Sequence, residues 1–96
     1  MSYCVDWEDW RWKMVAQELG SSLGRGILAL LQGRVLSATE ISKELNAPLT
    51  TVLYHLSRLE FLGLIDADIR FSSKESRWIK YYRASCSDVT FKIGGE

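Results

Sequence analysis

The chain is poor in the residues that most chemistry needs. In 96 residues it has one proline, Pro48, one histidine, His55, and two cysteines, Cys4 and Cys86. Two cysteines near opposite ends make neither a disulfide framework nor the paired spacing of a zinc site. Free thiols are the plain reading, with a bridge between subunits or between the two ends as the alternative. A single histidine supplies no ligand set and no nucleophile–base pair, and there is no Gly-rich phosphate loop. No catalytic residue, no metal and no cofactor is therefore expected, and the chain is read as a non-enzyme. No apolar run approaches the roughly 20 residues that span a bilayer. The longest is Ile27-Leu28-Ala29-Leu30-Leu31. The start, MSYCVDWEDW, is acidic and aromatic and lacks the basic region of a secretion signal. An intracellular, cytoplasmic setting with no membrane contact is the expectation. Neither sign of charge dominates, since 12 Lys and Arg balance 12 Asp and Glu. That balance counts against a nucleic-acid partner, because many isolated DNA-binding domains are basic.

The residues that are present describe one small folded domain. A hydrophobic share of 47% is ordinary for a globular chain and too high for disorder. Four Trp and four Tyr exceed what so small a core readily buries, which points to an interface. The charges are segregated. Residues 1–19 carry Asp6, Glu8, Asp9 and Glu18 against Arg11 and Lys13. Residues 64–83 carry Arg70, Lys74, Arg77, Lys80 and Arg83 against Asp66, Asp68 and Glu75. A neutral protein can still offer one basic face.

The stretch Leu36–Ile65 organises the rest. Ser37 and Glu40 have the spacing of a capping box, and Leu36 and Ile41 that of a hydrophobic staple. The helix they open buries Ala38, Ile41 and Leu45 and stops at Asn46, a residue that tolerates the left-handed conformation of a helix C′ position. Pro48 cannot continue that helix but suits the start of another. The second helix carries Val52, Leu56 and Leu59 on one face and Thr50, Thr51, Tyr54 and Arg58 elsewhere. A short helix, a sharp turn and a second helix with a polar outer face make a helix-turn-helix.

Around it the patterns are more ordinary. Residues 1–5 read as irregular. A helix is expected from Asp6 to Leu19, with Asp6 as N-cap and Asp9 in the first turn. Trp7, Trp10 and Met14 form one apolar set on it, and Trp12, Val15, Ala16 and Leu19 another. One set suits the core and the other a partner subunit, unless the Trp side chains only cap the core. Gly20 ends this helix and Ser21 or Ser22 caps the next, whose stripe is Leu23, Ile27, Leu30 and Leu31. Gly24 and Gly26 imply close approach of another backbone, or a helix that starts only near Arg25. Gly33-Arg34 marks a turn. After Gly63 the period changes to two: Ala67, Ile69 and Phe71 alternate with Asp66, Asp68 and Arg70 in a half-buried strand. A polar tip, 72–76, leads to a second strand, Arg77–Arg83, so the pair is a β-hairpin. Val89, Phe91 and Ile93 suggest a third short strand, and Gly94-Gly95-Glu96 should fray. The expected fold is α+β, mainly α: a winged helix-turn-helix of three to four helices plus a hairpin wing. It divides into an N-terminal dimerisation helix (6–19), a winged-helix core (22–84) and a C-terminal strand or tail (85–96).

The segment Ala47–Leu59 contains Thr51-Val52, then His55-Leu56 and Leu59, and is followed by Gly63-Leu64-Ile65. It resembles the recognition-helix signature of ArsR-like winged-helix repressors. Leu23–Leu28 is similar to the helix of that family that carries Arg ahead of Ile-Leu, and Tyr81-Tyr82-Arg83 resembles the end of its wing. The resemblance covers about residues 22–84. It implies a DNA-binding transcription regulator that works as a homodimer, most simply a repressor. Metal-sensing members carry Cys pairs in the first helix of the helix-turn-helix; here that helix, Ala38–Leu45, has no thiol. The family's C-terminal dimerisation helix has no counterpart either. No metal sensing is therefore expected, and dimerisation is assigned to Trp7, Trp10 and Met14 of the N-terminal helix, with the last strand as a second candidate.

On this reading Leu49, Thr50, Leu53 and Tyr54 face base edges in the major groove of double-stranded DNA. Thr51 and Arg58 contact phosphate. Lys74, Arg77 and Lys80 on the wing hold the flanking backbone or minor groove. Each has a plainer alternative: a solvated hairpin for the basic residues, a surface or interface ring for Tyr54, and a partly buried hydrogen-bonded side chain for His55. The competing function is a winged helix used as a protein–protein adaptor. If Arg25, Lys43, Arg58, Lys74 and Arg77 share the face of the second helix, DNA is favoured; an apolar or acidic face favours the adaptor.

Overall fold

The chain runs β1 (Ser2–Asp6), α1 (Trp12–Gly20), α2 (Ser22–Leu30), β2 (Leu36–Ser37), α3 (Ala38–Leu45), α4 (Leu49–Phe61), β3 (Ile65–Ser72), β4 (Arg77–Ala84) and β5 (Asp88–Lys92) in a computed structural model that describes residues 1–94. Gly95 and Glu96, within the tail expected to fray, lie outside the described residues. Ile27, Leu31, Ile41, Val52, Leu56, Leu59, Leu62 and Leu64 are buried between the helices and the base of the hairpin. Full burial of side chains of this size contributes about 1.5–3 kcal/mol each, which makes this cluster the main source of stability.

The helix-turn-helix follows its local chemistry. Ser37 Oγ accepts from the Glu40 N–H at 3.2 Å and Glu40 Oε1 accepts from the Ser37 N–H at 2.9 Å, so both halves of the capping box form. Leu36 and Ile41 are both buried, as a staple requires. Asn46 is left-handed (φ 50, ψ 48), and the N–H groups of Asn46 and Ala47 close on the Lys43 and Ser42 carbonyls. Gly63 (φ 80) ends α4 in the same way, with Gly63 N–H donating to Glu60 O and Leu64 N–H to Leu59 O. Both ends are Schellman motifs that satisfy carbonyls a helix terminus leaves open.

The N-terminus departs from the expected Asp6–Leu19 helix, which begins only at Trp12. Residues 2–6 are a strand, not irregular, paired in parallel with β5 from Ser2↔Asp88 to Asp6↔Lys92. Asp6 therefore caps nothing. The Asp9 N–H donates to Asp6 O at 2.9 Å, and the Asp9 carboxylate accepts from the Arg11 backbone N–H and guanidinium. Such side-chain-to-backbone bonds compete with helix and win here. The Arg11 hydrogen bond also holds the Asp9 carboxyl down at about 2. Trp7 and Trp10 sit in this turn, not on one helical face with Met14; Met14 packs against the core.

The wing is longer and barer than a half-buried strand implies. β3 and β4 pair antiparallel from Ile65↔Ala84 to Ser72↔Arg77, and β2 joins β4 through Leu36↔Tyr82 and Ser37↔Tyr81. Cross-strand partners share a face. At the base that face buries Ile65 and Tyr82, but further out Ile69 and Phe71 are exposed. The alternation is real, yet no helix reaches far enough to cover its outer half. At the tip Ser76 takes the left-handed conformation (φ 54) in place of a glycine.

Gly24 and Gly26 separate into a close approach and a free position. A Cβ on Gly24 would lie 2.3 Å from the Glu18 carbonyl oxygen, whereas one on Gly26 meets nothing nearer than Leu45 at 3.8 Å. Gly24→Ala is expected to destabilise the fold by about 1–3 kcal/mol through overpacking. Gly26→Ala should stabilise it by about 0.5–1 kcal/mol through helix propensity. Urea unfolding of the two variants checks both signs.

Candidate nucleic-acid interface

The pose of α4 is set from behind by a buried carboxylate. Glu18 of α1 is only 2% exposed. Its Oε1 lies 2.8 Å from His55 Nδ1, and its Oε2 accepts from Arg58 Nε at 2.7 Å. Arg58 also donates to Gln17 Oε1 at 2.9 Å. His55 and Arg58 are three apart on α4, so they present one face to α1. A lone carboxylate in such a position would be costly; paired and fully hydrogen-bonded it is tolerated and fixes geometry. Val52, Leu56 and Leu59 complete the inner side of the helix.

Leu49, Thr50, Thr51, Leu53 and Tyr54 are all exposed on the outer side of α4, where they were expected. Arg58 is not with them. The guanidinium expected to hold phosphate is committed to Glu18 and Gln17, and it lies over the Tyr54 ring at 5.5 Å. His55 is partly buried and hydrogen-bonded. Arg58 therefore turns away from the outer face, and the reason is tertiary: the carboxylate that captures it is 40 residues away in sequence.

Between α3, α4 and the wing runs a groove of about 760 Å³. Leu49 and Leu53 form one wall and Lys74, Arg77 and Trp78 the other, with Lys43 along the edge. Four cationic side chains line it, Lys43, Lys74, Arg77 and Lys80, against two carboxylates, Glu40 and Glu75. Glu40 is held in the capping box. Arg77 pairs with Glu75 at 2.8 Å and Lys80 with Glu60 at 2.9 Å, both exposed to solvent. The Glu60 hydrogen bond raises the Lys80 ammonium pKa. Among the described residues Lys43 and Lys74 are in no ion pair. Of Arg25, Lys43, Arg58, Lys74 and Arg77, three share the groove with α4: Lys43, Lys74 and Arg77. Arg25 donates instead to the Leu19 carbonyl, and Arg58 to Glu18.

The residues assigned to dimerisation are only partly brought together. Trp10 is exposed and leans on Phe61 at the end of α4, ring centroids 5.6 Å apart; Trp7 is exposed in the same turn. Met14 belongs to the core side of α1. Cys4 is exposed and Cys86 is buried, and both are free thiols. No group of three His, Cys, Asp or Glu side chains suited to a metal occurs among the described residues. No helix of the described residues is long and apolar enough to cross a membrane.

Sequence reading missed the Glu18 cluster and the part Trp78 takes in the groove. One signal for Glu18 existed: it lies three residues after Val15, on the inward side of α1, where a carboxylate needs a partner.

A body of four helices, two of them a helix-turn-helix, with a hairpin beside the second helix of that pair is a winged helix-turn-helix. A family model, the helix-turn-helix domain, matches residues 19–66, half of the chain, and the chain belongs to that family. A domain of this kind is a DNA-binding module of transcription regulators. A search of curated proteins returned no match. Solved structures that resemble it include two of HlyU. Reduced HlyU from Vibrio cholerae is 19% identical with a TM-score of 0.64, covering 80% of this chain and 75% of that one. A second HlyU structure from the same organism is 21% identical with a TM-score of 0.60, covering 80% and 77%. At these identities the likeness is one of fold.

Replacing Arg58 should report on the fold rather than on a ligand. Arg58→Ala leaves the buried Glu18 carboxylate short of its cation and is expected to cost about 3 kcal/mol in urea unfolding. A loss below about 0.5 kcal/mol would show that the pair is an ordinary surface bridge.

Proposed function

We propose that this chain is a sequence-specific, double-stranded-DNA-binding transcription regulator, a homodimeric repressor of ArsR-like type that senses no metal. The observation that carries this reading is the groove itself: Lys43, Lys74 and Arg77 flank the exposed Leu49–Tyr54 face of α4. In it α4 enters the major groove and Leu49, Thr50, Leu53 and Tyr54 meet base edges. Thr51, Lys43, Lys74, Arg77 and Lys80 hold the backbone. None of the base-facing residues is a bidentate reader, so part of the specificity comes from DNA shape. The Thr51–Ile65 signature supports the ArsR-like type. Exclusion of metal rests on α3, which has no thiol, and on the one histidine, which Glu18 engages. The reading assigns no catalytic activity and a cytoplasmic setting.

The expected result is a steep fall of duplex affinity with salt, because each neutralised phosphate releases counterions. Lys74→Ala should reduce the slope of log K against log salt by about 1 and leave stability unchanged. Binding indifferent to salt would remove the reading.

A dimer follows from the need to set two recognition helices about one helical turn apart. Trp7 and Trp10, joined by Phe61 rather than Met14, are the surface assigned to it. Sedimentation should give a dimer that Trp10→Ala weakens without loss of helix content; a monomer at high concentration in the unmutated protein contradicts the assignment. One observation favours the competing adaptor function. The outer wing carries the exposed apolar side chains Ile69, Phe71 and Trp78, the kind of patch that marks a contact surface.

A further inference from the structure

Ile69, Phe71 and Trp78 are 63%, 54% and 66% exposed. Phe71 and Trp78 are cross-strand partners on one face of the wing, and Ile69 follows on that face opposite Lys80. The two rings meet edge to face, centroids 5.4 Å apart at 73°. Such a pair holds both rings in fixed orientation at little entropic cost. Nothing else among the described residues covers it, since all three side chains stay more than half exposed.

Its surroundings identify the occupant. Trp78 lines the cationic groove with Lys74 at the tip, Lys80 on its own face of β4 and Lys43 of α3. The apolar face therefore meets the cationic groove at Trp78, opposite Leu49 and Leu53 of α4. An apolar plug set among cations suits a polyanion with apolar layers inside, which is duplex DNA. Proteins that read the minor groove use the same pairing, basic side chains for the backbone and an apolar wedge between base steps.

We propose that Trp78, braced by Phe71, is a wedge that packs into the minor groove flanking the site read by α4 and opens a flexible pyrimidine–purine step. This rests on the DNA-binding reading and supplies the shape-dependent specificity that the Leu, Thr and Tyr face of α4 lacks. TA steps unstack at low cost, so TA-rich flanks are preferred over G·C-rich ones.

The test uses the whole chain and two duplexes of about two helical turns, one of alternating TA and one of alternating GC, each labelled at both ends for energy transfer. The unmutated protein should bind the TA duplex more tightly and shorten its end-to-end distance. Trp78→Ala should weaken TA binding about tenfold, the scale of one base stacked on one ring, and abolish the shortening. It should leave the salt slope unchanged, since no phosphate contact is removed. Trp78→Phe should restore most of both, and Phe71→Ala, in which the wedge keeps its ring but loses its brace, should give an intermediate loss. Circular dichroism of each variant reports folding independently. If Trp78→Ala binds and bends the TA duplex as the unmutated protein does, with salt dependence intact, the wedge is refuted and the DNA reading survives. If Trp78→Ala lowers self-association instead, the face is an interface between copies and the wedge is again refuted. If the unmutated protein shows no salt-dependent binding, both fall together.

Discussion

The arrangement of this domain turns on one buried carboxylate. Glu18 stands at the end of α1, pressed against Gly24 of α2 and bonded to His55 and Arg58 of α4. Three helices meet at that side chain. Apolar packing would hold them together in any of several rotations, because hydrophobic contact is not directional. Hydrogen bonds to a buried anion are directional, and an unmet one is expensive. Glu18 therefore selects the rotation of α4 that turns Val52, Leu56 and Leu59 inward and Leu49 to Tyr54 outward. Buried polar groups fix a single pose in this way in some other folds, and here that pose presents the outer face.

That outer face is completed by a second set of constraints at the wing. The two-residue strand β2 ties the entry of α3 to β4, so the helix-turn-helix and the hairpin share hydrogen bonds as well as core. The same pairing joins the two walls of the groove between them. Its cations are few, and this reconciles a formal net charge of zero with a polyanionic partner. Several acidic side chains lie away from the groove, Glu18 in the interior, Asp9 on Arg11 and Glu44 on Arg34, while of the two that line it Glu40 is held in a cap and Glu75 pairs with Arg77. Lys43 and Lys74 stay unpaired among the described residues.

Legibility in the sequence followed the range of the interactions. The capping box at Ser37, the turn at Asn46, the exit at Gly63 and the two wing strands rest on neighbours within a few residues, and all were readable. The strand Ser2–Asp6 was not, because its partner, Asp88–Lys92, is some 86 positions away and a parallel pair leaves no hairpin signal. The helix expected from Asp6 failed at Asp9, whose carboxylate prefers the Arg11 backbone and side chain. In the site, the exposed side of α4 was legible from its apolar period. Arg58 was misassigned because a free cation and one captured by a distant carboxylate look alike in sequence. The outer wing was misread for a related reason: alternation says which residues share a face, not whether anything covers it.

The central claim is that the outer side of α4 and the wing groove form one surface for duplex DNA. Amide chemical-shift mapping of the 15N-labelled chain on addition of a duplex tests it most directly. The account predicts the largest changes at Leu49–Tyr54 and at Lys74–Trp78, with Lys43 between them and little at Trp7, Trp10 or Cys86. Changes concentrated on the Trp7–Trp10 turn, or none along α4, would contradict it.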